Sequence, residues 1–323
     1  MSTPSKYVSF KELSREPFRV FFLLATFAGI AGVLLWPLSL KGFISFYPGQ
    51  VHARIMTHCF YGGFIIGFLG TALPRMLSVP AFSTLTLLVI AAVYLSMLGL
   101  YLTGNAFAGD ATLLGLLFLL LILLLTRFPK RKDLPPPGFI LMILGFASLL
   151  AGTILSLLGD RVSLQVIALQ HLLSFQGFVL LPILGIAPFI MPRFFGMEST
   201  HDLPESRRIT PQWKKKAMLA LAAGILVIAG FFLEAWGWLR TGSGLRFVVV
   251  ATYILLEARV HMGTGRKTLA ILLRTGLGLI ALGFLAATLF VMNRTALFHI
   301  DFAGGSAIVT ICVATRVVFG HSG

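Results

Sequence analysis

The sequence predicts an all-α fold, a polytopic membrane helix bundle of about ten transmembrane helices. Three observations predict it. First, 57% of the 323 residues are hydrophobic and 11% charged, where a soluble domain carries about 25% charged residues to solvate its surface. The mean hydropathy is +0.93. Second, the apolar runs repeatedly exceed the roughly 18 residues that mark a membrane span. Third, basic residues collect in alternate connections between those runs. In lipid the backbone must satisfy its hydrogen bonds within the segment, so every span is expected to be a helix.

The windows fall near 18–38, 51–74, 80–103, 107–126, 137–158, 163–191, 217–239, 245–262, 268–292 and 297–318, within a single transmembrane domain covering 1–323. At a rise of about 1.5 Å per residue, each can cross a hydrocarbon core of about 30 Å. The first window follows a polar segment with Lys6, Lys11, Arg15 and Arg19. No small-residue cleavage site follows a short apolar core, so no removable signal peptide is expected. The connection after the fourth window carries Arg127, Lys130, Arg131 and Lys132. The longest connection (192–216) carries Arg193, Arg207, Arg208 and Lys214 to Lys216; Arg259, Arg266 and Lys267 follow the eighth window. The opposite set carries only Lys41, Arg54, Arg161, Arg240, Arg246 and Arg294. The positive-inside rule then places the N-terminus, and with ten spans the C-terminus, in the cytoplasm. Trp236 and Trp238 fall where an interfacial aromatic belt is expected. The net charge of +15 is therefore topogenic; the partner is the lipid bilayer and not nucleic acid. Cys59 and Cys312 lie inside apolar runs, which argues against a disulfide framework, and no Cys-x-x-Cys-His haem attachment is present.

A faint repeat is visible. The second span reads His58-Cys-Phe-Tyr-Gly-Gly and reaches Arg75; the tenth reads His299-Ile-Asp-Phe-Ala-Gly-Gly and reaches Arg316. Both His-to-Arg intervals are 17 residues, and the sixth span has a looser analogue from His171 to Arg193. Spans 2, 6 and 10 are four apart. The chain therefore reads as three times four helices, shortened by two in the last unit.

Those same spans hold the residues best suited to chemistry: His52, His58, His171 and His299. Ionisable or ligating side chains are expensive in a membrane and usually serve a function there, and neutral imidazole is the commonest metal ligand. A single such histidine can equally hydrogen-bond a neighbouring helix. At 100° per residue, His52, Met56, Cys59, Gly63 and Gly70 share one face of the second span. The glycine strip admits either a flat macrocycle or a close-packed helix. His299, Ala303, Ser306 and Thr310 form a comparable stripe on the tenth span. Pairing His52 with His299 across a haem gives bis-imidazole iron with no open position, suited to electron transfer. His58 points about 120° from His52 by the same helical step and should meet a different neighbour. His171, His58, Met56 and Cys59 are donors that copper accepts, although Met and Cys also fill helix interfaces.

Glu234, Glu257 and Arg274 are further charges within or at the ends of apolar windows, expected to snorkel or pair. His201, His261 and His321 fall on the cytoplasmic side, the first as a solvated side chain. Phosphate loops, nucleophile–histidine–acid constellations and zinc-protease helices are absent. Two rival functions remain. Pro182, Pro188 and Pro192 in the sixth span, with the buried charges, suit a small-molecule or metal transporter; a membrane assembly or partner-binding protein without cofactor would make the histidines structural.

The motifs also carry a family resemblance. Glu16-Pro17-Phe18-Arg19-Val-Phe-Phe-Leu-Leu-Ala25 resembles the opening of the NnrS family. Val51-His52-Ala53-Arg54-Ile55-Met56 resembles its Trp-His-Ala-His-Glu-Met signature, and Thr315-Arg316-Val317-Val318-Phe319-Gly320-His321-Ser322-Gly323 its Thr-Arg-Val-x-Leu-Gly-His-Thr-Gly signature. The resemblance implies a bacterial inner-membrane protein of usually twelve helices. It also implies haem b and copper, and a role in nitric oxide metabolism and resistance to nitrosative stress, with an electron-donor protein as an unnamed partner. Arg54 and Ile55 depart from the second His and the Glu of that signature, which leaves His58 as a substitute ligand. A more distant likeness, to the haem–copper oxidase catalytic subunit, implies His52 and His299 on a low-spin haem and His171 at copper. That family's paired histidines of helix 7 and the first His of its helix 10 pair are missing (Leu297 stands there), so no complete binuclear centre is expected, and turnover of a substrate is left open.

Overall fold

A computed structural model describes residues 15–198, 208–265 and 267–320 of the chain. Lys6, Lys11, His201, Arg207, Arg266 and the closing His321-Ser322-Gly323 lie outside the described residues. Among the described residues the chain is all helix and coil, with ten helices long and apolar enough to cross a membrane. We number them α1 (Phe18–Leu40), α2 (Pro48–Met76), α3 (Thr84–Leu102), α4 (Ala106–Lys130), α5 (Phe139–Leu157), α6 (Leu164–Phe194), α7 (Pro211–Ala235), α8 (Leu239–Leu256), α9 (Thr268–Leu289) and α10 (Arg294–Gly320).

Several helices begin outside their apolar windows, and the local chemistry explains where. Pro48 opens α2 and Pro211 opens α7, positions whose missing N–H costs nothing. Ser83, Asn105 and Thr210 cap α3, α4 and α7, each side-chain oxygen accepting the backbone N–H three residues on at 3.1 Å. The α7 cap lies before Lys214, Lys215 and Lys216, so this helix carries its charges beyond the stretch that hydropathy detects.

The chain divides into two compact units. The first comprises Met1–Asp133 with Val317–Gly323, and the second Leu134–Arg316. In the first, α1 lies along α2, and α3 packs on α4. A Cβ at Gly63 would stand 2.8 Å from Ala25 Cβ, and one at Gly67 3.0 Å from the Phe21 and Phe22 side chains. Small residues thus let the backbones approach, the usual route to helix association in lipid. Phe21, Ala25, Ile55, Tyr94 and Tyr101 fill the interior.

In the second unit α6 is central: 78% of its span is buried, against 39% for α5, α8 and α9. Its three internal prolines, Pro182, Pro188 and Pro192, remove backbone hydrogen bonds, yet the helix continues because α5, α7, α8 and α9 surround it. Gly138 and Gly185 bring the α5 and α6 backbones into contact, and Gly230 and Gly242 do the same for α7 and α8. Leu23, Phe27, Leu85, Ile143 and Val248 remain exposed on the bundle exteriors; for a chain dissolved in lipid these are solvated apolar surface rather than a liability.

Candidate functional site

Spans 2, 6 and 10 share a feature that hydropathy does not carry. Each contains a wide turn with π-type hydrogen bonding: Ile55–Tyr61 in α2, Leu172–Gly177 in α6 and Ile300–Ser306 in α10. Such turns are rare and concentrate at functional sites. The residues immediately before them are Arg54, His171 and His299. The repeat therefore has a different register from the one expected: Arg54, not His58, holds the place of the other two histidines. A wide turn also breaks the 100° step, so the stripe expected on α10 does not exist. His299 is exposed, whereas Ser306 is fully buried.

In the first unit, His52 and Met56 both face α1. His52 Nδ1 lies 3.0 Å from the Gly32 carbonyl, Trp36 stands edge-on to the ring at 6.1 Å, and a Cβ on Gly32 would meet Met56 Sδ at 3.0 Å. A carbonyl only accepts, so Nδ1 carries the proton and the lone pair falls on Nε2. The glycine strip of α2 is occupied by α1 and not open to a macrocycle; the close-packed helix is the occupant. Cys59 is fully buried, and its carbonyl accepts from Tyr94 Oη at 2.8 Å.

His58 is buried and faces α3, away from His52 as its helical phase requires. Its Nδ1 is 3.1 Å from Tyr101 Oη, which donates to Asp110 Oδ1 at 2.8 Å. Because that hydroxyl proton goes to a carboxylate, its oxygen must accept from His58 Nδ1. Arg54 forks onto the same carboxylate, Nε to Oδ1 at 3.0 Å and Nη2 to Oδ2 at 2.9 Å, and its Nη1 reaches Gln50 O at 3.4 Å. A chain of four polar side chains thus ties α2 to α3 and α4. Asp110 and Tyr101 were missed by the sequence reading. The available signal was Asp110 as the lone acid in its apolar window, which marks a partner inside the membrane.

In the second unit His171 and His299 are both exposed. His171 stacks on Phe175 at 5.5 Å, and His299 Nδ1 lies 2.7 Å from Thr295 O of its own helix, giving it the same tautomer as His52. Nearby polar groups gather instead around Arg246. This residue is fully buried; its guanidinium donates to Gln176 Oε1 from the wide turn of α6, to Glu234 Oε2 of α7, and to Gly242 O at 3.2 Å. Phe231, Phe284 and Phe298 surround it with ring centres 5.0–5.8 Å away. Arg294 shares the Glu234 carboxylate at 2.6 Å and donates to Ser243 Oγ at 2.8 Å. Asp301, in the wide turn of α10, accepts from Ser306 Oγ at 3.0 Å.

This corrects the reading of loop charges. Arg54, Arg246 and Arg294 are not loop residues; they belong to α2, α8 and α10 and pair with carboxylates. Their removal from the poorer set sharpens the charge asymmetry between the two ends of the helices. Arg274 donates to the carbonyls of Val260, Met262, Gly263 and Gly265, so it clasps the α8–α9 connection.

A ligating histidine characteristically donates its other ring N–H to an oxygen, which fixes tautomer and orientation; His52 and His299 both do so. Among the described residues no three His, Cys, Asp or Glu come together to hold a metal ion. Copper would find only the nitrogen and thioether of His52 and Met56 side by side at Gly32, and this pair does not make a complete set.

Among the described residues, ten span-length helices with ion-paired charges inside them define a multi-pass membrane protein. Residues 12–323 match the model of the family described as NnrS protein, and the chain belongs to that family. No curated protein and no solved structure matches it.

Proposed function

We propose that this is a haem-binding protein of the bacterial inner membrane that acts in nitric oxide metabolism or nitrosative-stress resistance, with its N-terminus in the cytoplasm. The observation that carries the reading is the recurrence of wide helical turns beside His171 and His299, together with the carbonyl-fixed tautomers of His52 and His299. Family membership and the three sequence motifs support the nitric oxide role. His52 and His299 are the axial-ligand candidates, each presenting Nε2. A bound haem would supply one-electron chemistry; the protein contributes imidazoles of fixed orientation. Copper, drawing on His52 and Met56, with His58, His171 and Cys59 as further candidates, is the less supported cofactor, because the described residues supply no complete set.

The test is a reduced-minus-oxidised spectrum with iron and copper analysis of detergent-purified protein, comparing wild type with His52→Ala and His299→Ala. A low-spin b-type haem that either substitution abolishes identifies that histidine as a ligand. A colourless, iron-free wild type refutes haem and moves the chain toward a carrier. The buried Arg246–Glu234–Arg294 cluster is what favours that second reading, and it predicts flux of a substrate in vesicles.

A further inference from the structure

His52 and His299 have the same tautomer, but the acceptors that impose it differ. For His299 the acceptor is Thr295 O, four residues back on its own helix. That bond is local and does not depend on neighbouring helices. For His52 the acceptor is Gly32 O, twenty residues earlier and on α1. This bond exists only while α1 and α2 keep their mutual register.

The contact that makes it is tight. A Cβ at Gly32 would stand 3.0 Å from both Ile55 Cγ2 and Met56 Sδ, inside the optimal separation of about 3.5–4.0 Å for carbon atoms, and Ile55 is fully buried. A residue without a side chain is what lets the carbonyl reach the ring. The same turn of α1 adds a second contact. Trp36 is four residues beyond Gly32, hence on the same helix face, and its indole meets the His52 ring at 6.1 Å and 63°. Tyr47, which precedes Pro48 at the start of α2, packs edge-on against that indole at 6.2 Å and 88°. The two contacts are complementary. A hydrogen bond at Nδ1 selects the tautomer but lets the ring turn about the bond. An aromatic edge has its own preferred geometry and opposes that rotation.

We propose that the turn Gly32–Trp36 of α1 positions His52, the Gly32 carbonyl setting its tautomer and the Trp36 indole its ring plane. Gly32 and Trp36 are thus positioning residues, and α1 decides where Nε2 of a residue on α2 points. The consequence for haem rests on the reading of His52 as an axial ligand; the consequence for the imidazole does not. An oxygen that accepts from a ligating imidazole raises its basicity and tunes the iron, so α1 governs the His52 side of the haem and leaves the His299 side alone.

NMR of the full-length protein with nitrogen-15 ring-labelled histidine, reduced with dithionite in lipid vesicles, tests this. The two Nδ1 protons are assigned by their loss in His52→Ala and His299→Ala. In wild type the His52 proton should lie downfield, as a hydrogen-bonded N–H. Gly32→Ala should move it upfield, Trp36→Leu should move it part of the way, and Trp36→Phe should restore it, with the His299 proton unmoved throughout. Trp36 is 41% exposed, so its variants leave the core intact if Gly32→Ala does not fold. In haem-containing protein the midpoint potential should shift in Gly32→Ala and Trp36→Leu and stay at the wild-type value in Trp36→Phe. A His52 proton unmoved in Trp36→Leu or in folded Gly32→Ala overturns the proposal, as does an equal shift of the His299 proton, which marks general loosening. A colourless protein with the expected proton shifts refutes haem and leaves the positioning standing; a haem spectrum with unmoved protons does the reverse.

Discussion

Arg54 and Arg246 show what a charge inside a membrane bundle requires. Each is desolvated, and each meets a carboxylate and further oxygen acceptors in return. Removing one partner of such a pair strands the other, at a cost of about 3–5 kcal/mol, whereas replacing both by apolar residues can be nearly neutral. Arg54→Ala should therefore lower thermal stability in detergent strongly, because Asp110 would lose the guanidinium that forks onto its carboxylate. Arg54→Leu with Asp110→Leu should recover most of the loss. If the double variant melts as low as the single one, the pair contributes more than compensation of its own desolvation. Tyr101→Phe should cost about 1–3 kcal/mol, the penalty for leaving a buried polar group unsatisfied, since both Asp110 Oδ1 and His58 Nδ1 lose a partner.

The wide turns are the deciding feature among the elements. In α10 the turn sets Ser306 against Asp301, five residues apart, a spacing that a regular α-helix does not bring together. Deleting Ala303, which is exposed, should convert the turn to regular helix and remove the five-residue spacing that brings Ser306 to Asp301. The expected outcome is a protein that still inserts into the membrane but has lost the haem signal and the Asp301–Ser306 bond. An unchanged spectrum would show that the turn has no part in presenting His299. Elsewhere close helix approach decides. At Gly242 a Cβ would stand 2.5 Å from Gly230 O, so Gly242→Ala should separate α7 from α8 and loosen the Arg246–Glu234 pair.

For the whole molecule, the positive-inside rule turns the charge distribution into an expected orientation. With Arg54, Arg246 and Arg294 assigned to ion pairs inside the spans, the poorer end retains Lys41 and Arg161 in its connections and Arg240 in the first turn of α8. The richer end holds the Arg127–Lys132 and Arg208–Lys216 runs. Single cysteines introduced at Lys132 and at Arg161, in a background lacking Cys59 and Cys312, should label oppositely with an impermeant maleimide in intact cells: Arg161→Cys reacts and Lys132→Cys does not. The reverse pattern would invert the topology.

Composition and hydropathy alone determined that this is a helical membrane protein of about ten spans, because burying apolar side chains in lipid needs only enough consecutive apolar residues, a property of the linear chain. They also exposed the repeat of spans 2, 6 and 10, and the signatures at His52 and Thr315 already pointed to the family. The helical wheel served His58, whose neighbour in α3 lies away from that of His52. It failed on α10, where a wide turn changes the angular step without leaving a mark in composition. Tertiary structure alone decided which charges are loop residues and which are buried partners, since Arg54 and Asp110 are 56 positions apart and Arg246 and Gln176 70 apart. Pairings over such distances depend on which helices become neighbours, and that is settled by the close backbone approach of small residues, not by the hydropathy of either segment.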